Sequence, residues 1–293
     1  MKKIIFLLVT TTLSVLALNA QVLTPEDNSV YKKPKHVNKV KKEYVPLREA
    51  DVMWSRKIWR DIDLRQKINH PFYYPANDGA QTVTGDRRSL IDVIYTAVTV
   101  EGSITAYGNA VMDDEFREPI VFGSKQMKSI GGAKQTLEEV RDRSSEDPDA
   151  TIMKANIVPF NRNQVKKWRL KEEWFFDKQR SVMDVRIIGM APLTDINSNG
   201  ELTGSFDPLF WVYFPEARNI LINAEVFNLV KNNAERRTYD DIFWKRMFSS
   251  TIIKESSVMD RNIDQYMIGL DALLEAERIK TEIFNMEHDL WEY

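Results

Sequence analysis

The sequence predicts an α+β fold in which a mixed or antiparallel sheet carries peripheral helices, an extended basic N-terminal arm and a long C-terminal helix. Three observations support this prediction: runs of β-branched and aromatic residues in the middle of the chain, helical spacing of apolar residues on both sides of that region, and a lysine-rich segment near the N-terminus. With 293 residues, of which 43% are hydrophobic, the chain is long enough to bury a core in one large or two modest domains. We expect residues 49–293 to form the folded body.

The first residues show the pattern of a secretory signal peptide. Lys2 and Lys3 precede a mostly apolar run, and the small residue Ala20 stands where signal peptidase would cut. The apolar run is short for a membrane-spanning helix, and Thr and Ser interrupt it. We therefore expect residues 1–20 to be a signal peptide and the mature protein to be exported.

Cysteine content and charge exclude several classes of protein. The sequence contains no cysteine, so it has no disulfide, no thiolate metal site and no cysteine that could carry a lipid anchor. The formal net charge is −2, and it becomes −4 when the two signal-peptide lysines are removed, which argues against a dedicated nucleic-acid binder. We expect no nucleic-acid partner, and any membrane association to depend on another protein.

Residues 21–48 are predicted to form the extended basic arm. Six lysines lie between Lys32 and Lys42, and the segment has too few apolar residues to bury the surface that independent folding requires. Two interpretations remain open: a solvated arm, or a basic strap that becomes ordered on an acidic partner. Under the second interpretation, Lys39, Lys41 and Lys42 are candidate interface residues.

The spacing in segment 51–69 predicts an amphipathic helix. One face would carry the apolar residues Trp54, Ile58, Ile62, Leu64 and Ile68. Asp61 and Arg65 fall inside that stripe, four residues apart, and are expected to form an ion pair there. Trp59 lies off the stripe and is free to face something else.

Pro71 is expected to end this helix. The three aromatic residues that follow it, Phe72, Tyr73 and Tyr74, would then lie in an extended segment.

A second helix is predicted over residues 90–101. Ser89 is a suitable N-cap, Asp92 answers it at the third helical position, and Gly102 can end the helix. The following run, 103–112, is typical of a strand with a turn.

The middle of the chain is more β-like. Residues 123–150 are polar and predict a loop around a short helix near Gln135–Arg141. Three later runs predict strands: 151–160, 182–193 and 209–214. Segment 164–179 alternates poorly, so a helix and an irregular strand both remain open. Two further helices are expected at 216–232 and 238–248.

The C-terminal segment 269–290 is strongly helical and carries two apolar stripes on different faces. The first stripe contains Leu270, Leu273 and Leu274, and the second contains Ile279, Ile283, Met286 and Leu290. Either one stripe packs on the body while the other meets a partner, or both are buried in one irregular core.

The sequence offers little catalytic chemistry. The three histidines, His36, His70 and His288, lack ligand spacing, and no familiar hydrolase, protease or nucleotide-binding motif is present. The turn that begins at Asp195 matches the first half of a calcium loop, but Phe206 stands where the bidentate Glu should be. We expect no cofactor and no metal.

Three long runs resemble the PorN/GldN family, ring proteins of the type IX secretion system and the gliding-motility machinery of Bacteroidota. The matching runs are ADVMWSRKIWRDIDLRQKINHPFYYP, KEEWFFDKQRSVMDVRIIGMAPL and PLFWVYFPEARNILINAEVFN. With the signal peptide and the length, the resemblance covers nearly the whole mature chain.

The resemblance implies a non-enzymatic periplasmic subunit. It would lie beneath the outer membrane, form a large ring with a lipoprotein partner of the PorK/GldK type, and contact the periplasmic part of a PorM/GldM-like motor protein. The absence of a cysteine agrees with this arrangement, because the partner would carry the anchor.

Ring subunits meet head to tail, so each copy needs two different complementary patches, and interface cores favour aromatic residues, Met and Arg. One candidate patch is Trp59 with Phe72, Tyr73 and Tyr74. The other is Ile279, Ile283 and Met286, while the lysines of the arm would bind a neighbouring copy.

Two alternative functions stay open: a periplasmic enzyme acting on cell-wall material, and a solute-binding module with a formed pocket.

Overall fold

The computed structural model describes residues 39–76, 87–108, 114–124, 127, 130, 134–141, 151–158, 161–196, 202–228 and 235–289. The signal peptide, the first part of the arm, Leu290 and the middle of the calcium-like turn (Asn197, Asn199 and Gly200) lie outside the described residues.

Seven strands form an antiparallel sheet, which confirms the predicted α+β fold. Along the chain they are β1 (Val52–Asp63), β2 (Ala106–Tyr107), β5 (Lys167–Asp177), β6 (Val182–Ile196), β7 (Leu202–Pro208), β8 (Trp211–Tyr213) and β9 (Thr251–Glu255), and β3 (Lys134–Arg141) pairs with β4 (Thr151–Val158) in a separate two-stranded sheet. The order across the large sheet is β2-β8-β6-β5-β1-β9, with β7 also paired to β6.

The described helices lie around this sheet. They are α1 (His70–Tyr73), α2 (Leu90–Thr96), α3 (Phe214–Leu221), α4 (Tyr239–Trp244) and α5 (Leu270–Asp289). Helix α5 confirms the predicted C-terminal helix almost to the residue.

The helix predicted over 51–69 is wrong, because most of that segment is strand β1 between β5 and β9. Residues four apart share a face of a strand as well as a face of a helix, so the spacing of Trp54, Ile58 and Ile62 fits both structures. Ile58 is buried on one face of the strand and Trp59 on the other. Because both faces are buried, the sequence lacks the alternation of apolar and polar residues that identifies a half-buried strand.

The predicted Asp61–Arg65 ion pair is also wrong. Asp61 lies opposite Arg169 on the neighbouring strand, whose Nε and Nη2 donate to the Asp61 carboxylate over 2.8 and 3.1 Å. Arg65 instead lies beside Asp63. In a strand the nearest side chains belong to the partner strand rather than to residues four apart.

Pro71 does not end a helix but lies in the first turn of α1, a position that proline favours because its missing N–H would be unbonded there anyway. Phe72 and Tyr73 are therefore helical rather than extended, and the extended chain resumes at Tyr74.

The prediction for 90–101 is confirmed in outline. The Asp92 backbone N–H donates to the Ser89 hydroxyl at the start of α2, and the helix continues through a π-helical turn, Ala97–Glu101. Gly102 ends it with φ +64°, and a Cβ there would lie 3.0 Å from the Phe122 ring.

The strand predictions hold better than the helix predictions in the middle of the chain. Strands lie within or across 151–160, 182–193 and 209–214 as expected, and segment 164–179 contains the central strand β5. The short helix near Gln135–Arg141 is wrong, because that run is β3, paired residue by residue with β4. Pairing with β4, the next strand along the chain, overrides the local preference for helix.

The two helices predicted after β8 differ in outcome. The first ends at Leu221, well before residue 232, and Glu225 then forms a β-bridge with Thr238. The second is α4, where the Thr238 hydroxyl and the Asp241 carboxylate form a capping box.

Three clusters of buried apolar residues hold these elements together. The largest fills the space between the sheet and helices α1 to α4, and a smaller one lies between α5 and strands β1 and β9. The third lies on the opposite face of the sheet around Trp59, Ala191 and Trp211.

Candidate protein-interaction surfaces

Trp59 packs within its own subunit. Its indole Nε1 donates to the Asp114 carboxylate over 2.8 Å, and the ammonium groups of Lys171 and Lys254 lie 5.4 and 4.6 Å from its ring centre. The indole is buried in the third cluster, under the loop that carries Asp114 and Phe116.

The aromatic residues after Pro71 lie elsewhere and differ in exposure. Phe72 is only 1% exposed and packs against Tyr239 and Phe243 in the main core. Tyr73 is partly buried, whereas Tyr74 is 49% exposed. The structure therefore does not unite Trp59 with Phe72, Tyr73 and Tyr74 in one exposed patch, and the interface role of these residues stays a prediction carried mainly by Tyr74.

The second stripe of α5 faces the body. Ile279 and Ile283 are buried against Ile58 and Ile252 of the sheet. Met286 is partly buried and lines a groove of about 550 Å³ beside Trp54. Of the three, Met286 alone lines that groove, and the interface role of all three stays a prediction.

The first stripe of α5 faces away from the body. Leu270, Leu273 and Leu274 are 70%, 56% and 60% exposed. Because successive residues of a helix are rotated by about 100° around its axis, the three leucines lie on the side opposite Ile279. Phe284 lies on the same side, further along the helix, and is exposed. Val258, Met259 and Ile268 in the preceding loops are exposed apolar residues as well.

Acidic residues accompany the exposed leucines. Asp271 makes no ion pair with any described residue, and Glu277 lies inside the outward stripe beside the exposed Lys280. We call Ile268, Leu270, Asp271, Leu273, Leu274 and Glu277 the α5 surface. It is apolar at its centre and negative around it.

Ion pairs fix the position of α5 on the sheet. Arg56 on β1 donates to Glu255 and to Glu282 over 3.2 Å each, so that it joins β1, β9 and α5. The hydrogen bond from Arg56 lowers the pKa of the Glu282 carboxyl group. Arg278 likewise lowers the pKa of Glu275 by hydrogen bonding.

The described part of the arm, Lys39 to Arg48, is docked on the body in extended form. Lys39 donates to the Asp241 carboxylate over 3.3 Å, and Arg186 donates to the Val45 carbonyl over 2.5 Å. The Tyr44 ring stacks on Trp244 with 5.2 Å between ring centres. Lys41 lies beside Glu43 of the arm itself, and the Lys42 ammonium lies 5.6 Å from the Trp244 ring centre.

A buried ion pair supports this stack from below. Arg218, which is 2% exposed, donates twice to Asp240, and its guanidinium lies 4.7 Å from the Tyr44 ring centre. Burial raises the pKa of the Tyr44 hydroxyl. A small cavity of about 210 Å³ adjoins the stack between Tyr44 and Arg246.

The docked arm and α4 together present a second exposed surface. Trp244 remains 41% exposed although Tyr44 covers one side of it, and Val40 and Val45 of the docked arm are exposed as well. Among the described residues, neither Lys42 nor Lys245 makes an ion pair. We call Val40, Lys42, Val45, Trp244 and Lys245 the arm surface.

The described residues offer no evident site for metal chemistry. They contain no group of three or more His, Asp or Glu side chains placed to hold an ion. Nor does the described chain include a helix with the length and hydropathy needed to cross a membrane.

Sequence reasoning missed the arm surface because its parts lie about two hundred residues apart, at Tyr44 and Trp244, and nothing local links them. Helical spacing separates the two stripes of α5, but the stripe that the sequence analysis names as an interface, Ile279, Ile283 and Met286, lies mainly against the body, whereas the leucine stripe is exposed.

Comparison with known protein families agrees with the long runs that resemble PorN/GldN. The family model described as gliding motility associated protein GldN matches residues 47–292. No match to a curated protein was found. Because the family model spans nearly the whole folded body, the chain belongs to the GldN family of gliding motility associated proteins.

Proposed function

We propose that this protein is a non-enzymatic structural subunit of the type IX secretion and gliding machinery. In this proposal it lies in the periplasm on the inner side of the outer membrane, forms a large ring with a PorK/GldK-like lipoprotein, and contacts the periplasmic part of a PorM/GldM-like motor protein. Family membership supports the association with gliding motility, and the exposed surfaces support the role in assembly.

The observation that carries the proposal is the two-sided apolar pattern of α5. One side buries Ile279 and Ile283 against the sheet, so the helix is already anchored without its other side. The other side exposes three leucines in adjacent turns. Exposed apolar patches of this kind, with a polar rim, are typical of protein–protein interfaces.

Among the described residues, no feature supports a catalytic role as strongly as the exposed leucines of α5 support a role in assembly. The groove beside Trp54 is lined by residues already engaged in ion pairs, such as Arg56, Arg278 and Glu282. The Arg56–Glu282 pair holds α5 on β1, and Arg278 pairs within α5, so these polar groups bind one another rather than converge on a vacant point, as a substrate site requires.

The test is affinity capture of the tagged full-length protein from gently solubilised cell envelopes, followed by identification of what co-purifies. We expect stoichiometric recovery of a lipoprotein and of an inner-membrane motor subunit. Recovery of the protein alone, at every detergent strength, would refute the proposal.

The same capture locates the contact when a variant of the α5 surface is used. Leu273→Glu combined with Leu274→Glu should reduce recovery of at least one partner or of further copies, because two charges would enter an apolar interface. Glu287→Ala, on the same helix but outside the outward stripe, is the matched control and should recover the wild-type set. Equal recovery with all three proteins would remove α5 from the interface.

A further inference from the structure

If the chain forms a ring, as the proposed function requires, one copy must contact the next. The arm surface and the α5 surface differ in sign of charge but share an apolar centre. A head-to-tail contact between identical subunits requires such a pair of different, complementary surfaces.

The arm surface is positive. Residues 39–48 contain four cations and only one acidic residue, Glu43. Three of these cations form ion pairs within the subunit: Lys39 with Asp241, Lys41 with Glu43 and Arg48 with Asp51. Lys42 is the cation of the arm that remains for a partner, and it lies against the exposed Trp244 ring. Lys245 adds another exposed positive charge next to that ring.

The α5 surface is negative. Helix α5 contains six acidic residues against Arg278 and Lys280, which gives a formal charge of −4 over residues 270–289. Arg278 forms ion pairs with Glu275 and Glu282, and Lys280 forms one with Glu277 at the exposed outer surface. Asp271 is therefore available to an external cation, and an external lysine can compete with Lys280 for Glu277.

The docking of the arm gives the positive surface a fixed shape before any partner arrives. Tyr44 is held between Trp244 and the guanidinium groups of Arg186 and Arg218, and Arg186 also holds the Val45 carbonyl. A pre-organised surface loses less conformational entropy on binding than a free arm would.

We propose that the α5 surface of one copy docks on the arm surface of a second copy, with the leucines of α5 against Val40, Val45 and Trp244. Lys42 and Lys245 then face Asp271 and Glu277 of the neighbour. Because the two surfaces are different, the contact is heterologous and can be repeated from copy to copy. Complementary charges fix the register and speed the encounter, while the apolar centre supplies most of the affinity.

The first test reverses the charges on each side and then on both sides of the full-length protein. Lys42→Glu with Lys245→Glu should reduce the size of the captured particle, as should Asp271→Lys with Glu277→Lys. The chain that carries all four substitutions should recover a larger particle, because the complementarity is restored with the signs exchanged. Lys57→Glu and Glu287→Lys, which reverse exposed charges elsewhere, are the controls and should leave the particle size unchanged.

The second test uses the absence of cysteine from the sequence. A chain with Lys42→Cys and Glu277→Cys has only two thiols, so a short bismaleimide can join only those positions. Head-to-tail contact predicts a ladder of crosslinked multimers. Crosslinking within one chain only, a crosslinked dimer without higher steps, or no crosslink would overturn the proposed pairing.

The outcomes separate this inference from the proposed function. If the lipoprotein and the motor subunit still co-purify while charge reversal has no effect and no ladder forms, the pairing is wrong and the assembly role stands. If neither partner co-purifies with the wild-type protein, the proposed function itself fails.

Discussion

The orientation of α5 leads to a prediction that separates its two apolar faces. Ile279 is fully buried among Ile58, Ile252, Ile263 and Ile283 in the cluster between the helix and the sheet. Replacing a buried Ile by Ala loses the transfer free energy of the removed carbons and leaves a cavity, at a cost of roughly 2–5 kcal/mol. The better helix propensity of Ala returns only a few tenths of a kcal/mol, roughly, at this position.

We therefore expect Ile279→Ala to lower the free energy of unfolding by about 3 kcal/mol. With a urea dependence near the upper end of the usual range, about 3 kcal/mol per molar, the midpoint should fall by about 1 M. Trp54 and Trp174 pack against the same cluster, so their fluorescence reports the loss of α5 docking in a urea titration.

Leu273→Ala is the matched variant on the outward face of the same helix. Because more than half of the Leu273 side chain is exposed, its free energy of unfolding should change by only about 0.5 kcal/mol or less. A Leu273→Ala shift of the urea midpoint as large as that of Ile279→Ala, or an unchanged midpoint in Ile279→Ala, would contradict the assignment of the two faces of α5.

Three further predictions concern other parts of the body. Tyr239→Phe removes a buried hydroxyl that donates to two backbone carbonyls, and it should cost about 1–2 kcal/mol in chemical denaturation, since those carbonyls lose their donor; an unchanged midpoint would contradict this. Asp240→Ala leaves the buried Arg218 guanidinium without its carboxylate and should cost about 3–5 kcal/mol in the same assay, whereas a cost below that of Tyr239→Phe would show that the pair is not buried as described. The folded-state pKa of Glu282 lies below its ordinary value of 4.5 because of Arg56, so its ion pair stabilises the fold above pH 4.5 and is lost as the pH falls through the folded-state pKa. Glu282→Gln should therefore make urea stability less dependent on pH below 4.5, and a wild-type pH dependence in that variant would count against the assignment.

The sequence identifies α5 and its two faces because a helix of that length repeats its spacing several times. Leu270, Leu273 and Ile279 lie where this spacing puts them relative to one another. The spacing does not predict which face meets the body, because that depends on the apolar residues that β1 and β9 supply from elsewhere in the chain.

Segment 51–69 shows why the same method fails over a shorter and more buried stretch. Trp54, Ile58 and Ile62 are spaced by four, a multiple of the strand period as well as nearly one helical turn. Only the pairing with β5, more than one hundred residues later, decides between the two structures. Trp59, which the helical pattern places off the buried stripe, is instead buried on the opposite face of the strand.

The arm illustrates a third case, in which composition indicates the class of segment but not its contacts. The lysines correctly predict an extended chain without regular secondary structure over Lys39–Arg48. They do not predict that Tyr44 and Lys39 dock on α4, because that docking requires Trp244 and Asp241 to be brought together by the fold.

The proposal that this protein is a repeated subunit of a large ring can be tested by electron microscopy of particles captured through the tagged wild-type protein from cell envelopes. We expect ring-shaped particles that contain many copies of the chain, and smaller or open particles from the variant in which Lys42 and Lys245 are both changed to Glu. Particles no larger than one copy with one partner, in the wild-type preparation, would contradict it.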